Sequence, residues 1–377
     1  MKSLRSHPGE RLKEILAERE MLQADLAFIL GKANQVVTAI INGRLGISAE
    51  MSKALGEALQ LPHNYFAELQ QEYDLASADA PDPSVSQRAI MMNAYPIREM
   101  IKRGWIEDSG VEELQSQLAQ FFEVKHAGEI PYMAHVAKKT SYEIKEVPPV
   151  QLAWLFRVKQ IAKSMAVPKF SEHALRNALE QMRSMLVAAE ESRHIPRLLA
   201  ECGVRFVIVE SLPQAKIDGV CFWLDKQSPV IGISARFDRI DNFWFVLRHE
   251  IEHVLNGHGK HEEILDAELD ANQDGTVGTL SEEEQIANAA AADFCVPKDK
   301  LDSFIARKKP FYYEKDVLAF SKINNIHPGL VVGQIQRKMN RYDYLKKYQV
   351  KIRQCVLPGA MADGWGQSVT LSGGNRK

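Results

Sequence analysis

The chain has 377 residues, of which 45% are hydrophobic and 25% are charged, so it can form two or three globular domains. Its formal net charge of −2 gives no overall attraction to nucleic acid or anionic lipid. The four cysteines form no C-x-x-C pair, which argues against a disulfide scaffold. No apolar run reaches membrane-spanning length, and the first residues lack the apolar core of a signal peptide, so we expect a cytoplasmic protein without membrane contact.

The first 75 residues have apolar positions at helical spacing and predict a bundle of five helices. The second helix is predicted from Gln23 to a turn at Gly31, and the third covers 34–41. Ser48 is predicted to cap the fourth helix, and 63–73 to form the fifth. Two short helices joined by a tight turn, the second with one polar side, predict a helix-turn-helix.

The second and third helices also carry the candidate DNA contacts. Asn and Gln bond adenine edges in the major groove, and Lys and Arg contact phosphates. The candidates are Gln23, Lys32, Asn34, Gln35, Thr38 and Arg44. The run 23–44 resembles the phage-repressor (Cro/C1, XRE) class, and the longer run 7–75 resembles the HigA-type antitoxins. Because residues 1–75 hold eight Lys/Arg and ten Asp/Glu, a dimerisation or partner-docking module without DNA contact is the alternative.

After this bundle, the pattern changes twice. Residues 78–84 are rich in Ala, Asp and Pro and predict a linker, and a helical region follows to about residue 200. Three short apolar runs bounded by Gly and Pro then predict strands at 204–210, 219–224 and 229–234.

Directly after the strands, the run 244–253 contains H-E-x-x-H within an apolar, helix-compatible stretch. On a helix, residues i and i+4 lie on one face, so His249 and His253 can direct two imidazoles at one metal ion. Glu250 lies beside them, where it can polarise a water molecule. The pattern therefore predicts a zinc site that hydrolyses peptide bonds.

Two histidines need a third protein ligand, and the sequence offers several. A metzincin would place a third histidine ten residues after the first, but position 259 is Gly, which excludes that arrangement. His258 or His261 would bind only with another geometry. The better candidate is Glu284, on a second predicted helix whose alanines allow close packing. Asn288, one turn further on, shares its face and can hold a ligand histidine by a hydrogen bond.

The H-E-x-x-H run, followed by Glu-x-x-Ala-Asn at 284–288, resembles the ImmA/IrrE family of zinc metallopeptidases over about residues 150–340. The resemblance implies a Zn²⁺ ion held by His249, His253 and Glu284, with Glu250 as general base. A second donor to the oxyanion is needed, and Tyr312 and Tyr313 are weak candidates because such aromatics more often belong to a core. An exposed edge of the sheet can hold an extended substrate by backbone pairing.

An acidic stretch separates the two halves of the predicted metal site, with nine Asp or Glu from 262 to 284. Asp270 begins a calcium-loop pattern, but position twelve is Ser281 rather than Glu, so an acidic surface loop is the simpler interpretation. We hypothesise that this loop covers the cleft and restrains activity, in which case its excision should increase cleavage. Cys355 is interpreted as a structural or free cysteine rather than as a fourth zinc ligand.

Together these patterns predict a mainly α fold with a small α+β part. The predicted segments are a five-helix helix-turn-helix domain (1–76), a linker and helical connector (77–150), a minimal zincin-like domain with a short three-stranded sheet (151–345) and a C-terminal tail (346–377). The Gly-rich end of the tail, from residue 358, is expected to be flexible.

The predicted function is a DNA-binding transcriptional regulator that carries a zinc endopeptidase. Relatives of this kind relieve repression by cutting a repressor, so the expected substrate is a repressor, a partner protein or the chain itself near 76–88. The alternative is a HigA-type antitoxin or repressor whose zinc domain senses or binds a toxin or other partner without catalysis. A homodimer on a palindromic operator is expected, because repressors of this class usually bind two half-sites.

Overall fold

The computed structural model describes residues 6–125, 147–258, 260 and 281–370, together with the backbone of 264–267. The chain divides into two compact units, Met1–Val85 and Ser86–Lys377. The first unit is helical, and the second combines helices with a small sheet. The predicted fold class, mainly α with a small α+β part, is confirmed.

Five helices form the core of the first unit, as the sequence predicts. They are α1 (Pro8–Glu18), α2 (Gln23–Ile29), α3 (Asn34–Ile41), α4 (Ala49–Leu59) and α5 (Tyr65–Ser77). Their apolar faces meet in one cluster, in which the fully buried side chains include Leu12, Leu26, Ile40, Leu55 and Phe66. Each such side chain contributes about 1.5–3 kcal/mol by leaving water, which explains why the periodic apolar positions fix the bundle.

The turn between α2 and α3 has the geometry that a helix-turn-helix needs. Gly31 adopts a left-handed φ of +62°, a conformation that a residue with a Cβ atom resists. Val37 of α3 is buried in the core, so this helix packs through one face only. Further along, the Ser48 hydroxyl accepts a hydrogen bond from Met51 N at 3.1 Å and caps α4 as predicted.

Three helices fall in the segment that the sequence assigned to a separate connector: α6 (Pro83–Ala94), α7 (Ile97–Lys102) and α8 (Val111–Phe121). The next helix, α9 (Pro149–Ser164), lies in the predicted zincin-like domain. Trp105 and Phe122 share one hydrophobic cluster with Trp154 of α9 and with Val220 of the sheet. The predicted boundary at residue 150 therefore does not separate two units, because the connector buries its apolar residues against the domain that follows.

A mixed sheet lies at the centre of the second unit. Its described strands are β1 (Arg205–Val209), β2 (Ile217–Trp223), β3 (Pro229–Ile233), β4 (Ile264–Ala267) and β5 (Met361–Asp363), in the order β4-β2-β3-β1-β5. β1 runs parallel to β3 and β5, whereas β2 is antiparallel to β3 and β4. The three predicted strands are present, but the expectation of a three-stranded sheet is wrong, because an acidic segment and a Gly-rich segment each add an edge strand.

β5 also corrects the expectation of a flexible C-terminal end. Asp363 of this strand is buried and accepts a hydrogen bond from Arg157 Nε at 2.9 Å and another from Trp105 Nε1 at 3.1 Å. Arg157 Nη2 further donates to the carbonyl of Val369 at 2.8 Å. The chain up to residue 369 is thus fixed to the body of the unit by a buried ion pair that no local pattern reveals.

The other helices of the second unit pack around this sheet. They are α10 (Glu172–Met185), α11 (Ile195–Glu201), α12 (Ile240–Leu255), α13 (Glu282–Cys295), α14 (Lys298–Lys308), α15 (Glu314–Ile323), α16 (Pro328–Met339) and α17 (Arg353–Val356). Short 3-10 helices cover Ala189–His194, Lys346–Tyr348 and Leu357–Gly359. None of the helices in the described residues combines the length and apolar character that crossing a bilayer requires.

Candidate metal centre

The H-E-x-x-H run lies in the C-terminal half of α12, a helix whose apolar positions pack into the core. Phe243 and Leu247 are buried in the cluster that also covers one face of the sheet. The side chains of His249 and His253 are fully buried, and Glu250 is only 1% exposed. Because polar groups this deep must be partnered to offset the loss of water, their surroundings define what they can do.

The second half of the site comes from α13, and its first turn is fixed by a cap. The Ser281 hydroxyl accepts a hydrogen bond from Glu284 N at 3.3 Å, so the helix starts where Glu284 occupies its third position. Ala287 and Ala291 lie on the same face and are fully buried, which lets α13 approach α12 closely. The close packing predicted from the alanines is confirmed, and it places Glu284 opposite the two histidines.

Three side-chain atoms converge between these helices. His249 Nε2 and His253 Nε2 are 3.0 Å apart, and each lies close to one carboxylate oxygen of Glu284, at 3.2 and 3.3 Å respectively. Among the described residues, these three form the group of His, Cys, Asp and Glu side chains whose atoms can hold one ion. Ligands about 2.0–2.2 Å from a tetrahedral zinc lie roughly 3.3 Å from one another, so the donor set fits this ion in both type and spacing.

The carboxylate of Glu284 is held in its charged form. Burial raises its pKa, but the hydrogen bonds from His249 and His253 outweigh burial, and the pKa of Glu284 falls well below its ordinary value. An ionised oxygen beside two imidazoles is the arrangement that a divalent cation requires. The residues present therefore fit a zinc ion by chemistry as well as by geometry.

Glu250 lies against the backbone of β2. A Cβ atom on Gly219 would collide with Glu250 Oε1 and would lie 2.8 Å from Val246 Cγ1. A side chain at this position would force Glu250 or Val246 to move, so the glycine lets the strand pass close to the carboxylate. β2, an inner strand of the sheet, and the predicted general base thus lie side by side, a proximity that the sequence pattern does not indicate.

The edge of β2 beside Glu250 is itself paired. β4 runs antiparallel to β2, with Asp266 opposite Gly219 and Leu265 opposite Val220. The sequence predicts that an exposed sheet edge holds an extended substrate. On β2, that place is already taken by β4, a segment of the acidic stretch. Residues 268–280 of that stretch, which include most of the calcium-like pattern from Asp270, lie outside the described residues.

His258, which the sequence offered only as a ligand with another geometry, lies next to one of the candidate ligands. It does not join the three converging atoms; instead its Nδ1 lies 2.9 Å from His253 Nδ1. Burial lowers the pKa of His258, which favours a neutral ring. Within the described residues, His258 is therefore a neighbour of a candidate ligand, and the other alternative, His261, lies outside them.

The remaining sequence candidates have other surroundings. Asn288 follows Glu284 by one turn as predicted, but its Oδ1 is buried with no hydrogen-bond partner among the described residues, so its bond to a ligand histidine stays a prediction. The ring of Tyr312 stacks on Phe304 and packs against the core, whereas Tyr313 is 60% exposed at the start of α15. Cys355 is outside the converging group.

The candidate DNA contacts lie around the turn between α2 and α3. Asn34, Gln35, Lys32 and Arg44 are exposed, as expected for residues that reach a ligand. Thr38 is half-buried, and its hydroxyl donates a hydrogen bond to Gln23 Oε1 at 3.0 Å. These two side chains therefore connect the two helices and orient each other, a role that the sequence analysis did not assign.

Two segments of the chain match known family models. A helix-turn-helix model matches residues 12–66, and the model of the IrrE N-terminal-like domain, a peptidase family, matches residues 201–321. No curated protein matches the chain.

Solved structures match the N-terminal part. Antitoxin HigA from Pseudomonas aeruginosa, solved with the higBA promoter, is 36% identical; the match covers 19% of this chain and 80% of that one, with a TM-score of 0.19. An addiction module antidote protein of the HigA family from Coxiella burnetii is 32% identical over 19% of this chain and 79% of its own, with a TM-score of 0.18. A further P. aeruginosa protein, solved with its operator DNA, is 34% identical over 22% and 91%, with a TM-score of 0.21.

Proposed function

We propose that this chain is a DNA-binding transcriptional regulator that carries a zinc-dependent endopeptidase. Its N-terminal part matches the XRE-type helix-turn-helix proteins, and its C-terminal part matches the IrrE N-terminal-like peptidase family. The observation that supports the peptidase is the convergence of His249, His253 and Glu284 beside a buried Glu250. The proposed substrate is a repressor or partner protein, or this chain itself.

The proposed chemistry divides the roles among four side chains. His249, His253 and Glu284 would hold a zinc ion, which when bound lowers the pKa of water from about 16 towards 7 and polarises a carbonyl. Glu250 would accept a proton from the attacking water and pass it to the leaving amine. Its burial against Gly219 shields the carboxylate from bulk water, which favours proton transfer within the site.

Metal binding at these residues can be tested before any substrate is identified. We expect one zinc per chain. Glu284→Gln should lower zinc affinity by more than about 100-fold, because substitution of a residue that only hydrogen-bonds to a ligand already lowers metal affinity by about 10–100-fold. Competition against a chromophoric chelator measures the affinity. Glu282→Gln is the matched control, since this acid is exposed on the same helical turn. Wild-type affinity in Glu284→Gln would transfer the third-ligand role to another residue.

The DNA-binding half of the proposal makes a separate prediction. Gln35→Ala should weaken binding to a selected duplex by about 5–150-fold, the value of one bidentate base contact of about 1–3 kcal/mol. The duplex is obtained by selecting a random pool against the full chain, and two chains per duplex are expected for a homodimer on two half-sites. Gln71→Ala, an exposed position on α5, should bind like wild type. Failure to enrich any sequence would favour a docking module without DNA contact.

One observation favours the second candidate function, a HigA-type antitoxin or repressor whose zinc domain binds a partner without catalysis. The edge of β2 next to Glu250 is paired with β4, so an extended substrate would have to displace Ile264–Ala267 or bind elsewhere. A zinc-loaded chain that cleaves neither itself nor any peptide of a diverse library would support this candidate.

A further inference from the structure

His258 lies just beyond the end of α12, and hydrogen bonds hold its backbone in place. α12 ends at Leu255, and Gly257, with a φ of +67°, turns the chain back. His258 N then donates to the carbonyl of His253 at 2.9 Å, and Trp223 Nε1 of β2 donates to the carbonyl of His258 at 2.9 Å. The backbone of this residue is therefore fixed from the helix on one side and from the sheet on the other.

The side chain of His258 is aimed at a candidate metal ligand. Its Nδ1 lies 2.9 Å from Nδ1 of His253, the ring nitrogen opposite the one that faces Glu284. Its own Nε2 lies 3.9 Å from Oε1 of Glu283, and the side chain is 17% exposed. His258 thus connects the helix that carries two candidate ligands to the helix that carries the third.

The tautomer of His253 decides whether this side chain can bind a cation. A neutral imidazole carries one proton, so Nε2 can offer its lone pair only when the proton is on Nδ1. In that tautomer, His253 Nδ1–H donates to His258 Nδ1, and the proton of His258 is on Nε2, towards Glu283. In the opposite tautomer, His253 Nε2–H donates to Glu284, and this hydrogen, on an atom only 3.0 Å from His249 Nε2, would obstruct an ion.

We propose that His258 is a positioning residue, which selects the metal-binding tautomer and ring orientation of His253 through the hydrogen bond between their Nδ1 atoms. Histidines that bind metals commonly donate their second ring N–H to such an acceptor, and loss of that acceptor weakens the metal site. The inference rests on the proposed zinc site, and it assigns to His258 a function that differs from that of a ligand.

The test compares two substitutions at one position. His258→Ala should lower zinc affinity by about 10–100-fold, whereas His258→Gln should stay near wild type because its Oε1 can accept the same hydrogen bond. Chelator competition gives the affinities, and the visible spectrum of the Co²⁺-loaded protein should change in His258→Ala only, since it reports ligand geometry. His194→Ala is the control, because this exposed histidine also lies near a carboxylate, 3.8 Å from Glu191.

The outcomes separate this proposal from the one on which it rests. Wild-type affinity and an unchanged Co²⁺ spectrum in His258→Ala would overturn the positioning role, as would a His258→Gln protein as weak as His258→Ala. A metal-free His258→Ala protein that unfolds far below wild type would assign the residue a merely structural role and would also overturn it. If wild type itself binds no zinc, the proposed peptidase fails directly, before any variant is compared.

Discussion

Glu250→Gln is expected to reduce peptide cleavage by about 10²–10⁴-fold while zinc content remains at the wild-type level, the range expected for loss of a general base. Gln has the same shape as Glu, so the packing against Gly219 is retained, but its amide cannot accept the proton of an attacking water. Digestion of a diverse peptide library, followed by mass spectrometry, measures cleavage even while the natural substrate is unidentified. Metal analysis of the same sample verifies that zinc is retained.

The matched control for this change is Glu252→Gln. Glu252 lies on the same helix two residues further on, but its carboxylate pairs with Arg248 Nη2 at 2.6 Å instead of joining the converging atoms. Its loss should leave cleavage near wild type. Equal cleavage by Glu250→Gln and wild type would contradict the role of general base, and an inactive, zinc-loaded wild type would favour the partner-binding function.

Asp363→Asn is expected to destabilise the second unit by about 3–5 kcal/mol, the cost of leaving one partner of a buried ion pair without its counter-charge. The side chains of Arg157 and Asp363 are only 6% and 2% exposed. Asn can still accept the hydrogen bond from Trp105, but its amide N–H would face the guanidinium donors. All five tryptophans lie beyond residue 100, so tryptophan fluorescence during urea unfolding reports on this unit and not on residues 1–85.

Asp302→Asn provides the comparison for a surface pair. Asp302 lies 2.8 Å from Lys338 Nζ, and that ion pair is exposed on both sides. Hydrogen bonds with Lys338 and Lys298 lower the pKa of Asp302 to about 2, but solvent screening makes such pairs weak, so the urea midpoint should barely change. Similar midpoints for Asp302→Asn and Asp363→Asn would show that the buried pair contributes no more than a surface one.

The candidate site was more predictable than the sheet around it because its information is local. The spacing of His249 and His253 on one helix follows from helix geometry alone, and the alanines of α13 indicate a close contact. Glu284 is favoured because it begins the alanine-rich helix, and the family resemblance then supports it, since spacing alone cannot show which acid returns to the site. The approach of Gly219 to Glu250 joins residues 31 positions apart on different elements, and a single glycine gives no signal of its partner.

β5 and the attachment of the connector were not predicted, because both depend on contacts between residues far apart in the chain. β5 has three residues, one of them the buried Asp363, so it lacks the alternating apolar pattern by which strands are recognised. Its stabilising partner, Arg157, lies 206 residues earlier in the chain. The sequence assigned the connector to a segment of its own. Helical periodicity predicts that Trp105 and Leu118 are buried, but it does not show which residues they pack against.

The position of β5 in the chain also sets an order of events during synthesis. Residues 1–85 can fold from their own short-range contacts, whereas Arg157 has no counter-charge until residue 363 has left the ribosome. At about 5–20 residues per second, synthesis of the 278 positions from residue 86 to residue 363 takes roughly 15–55 s. A nascent chain therefore has a complete helix-turn-helix well before residue 363 closes the unit that holds the proposed metal site, and any proteolytic activity has to wait for that residue.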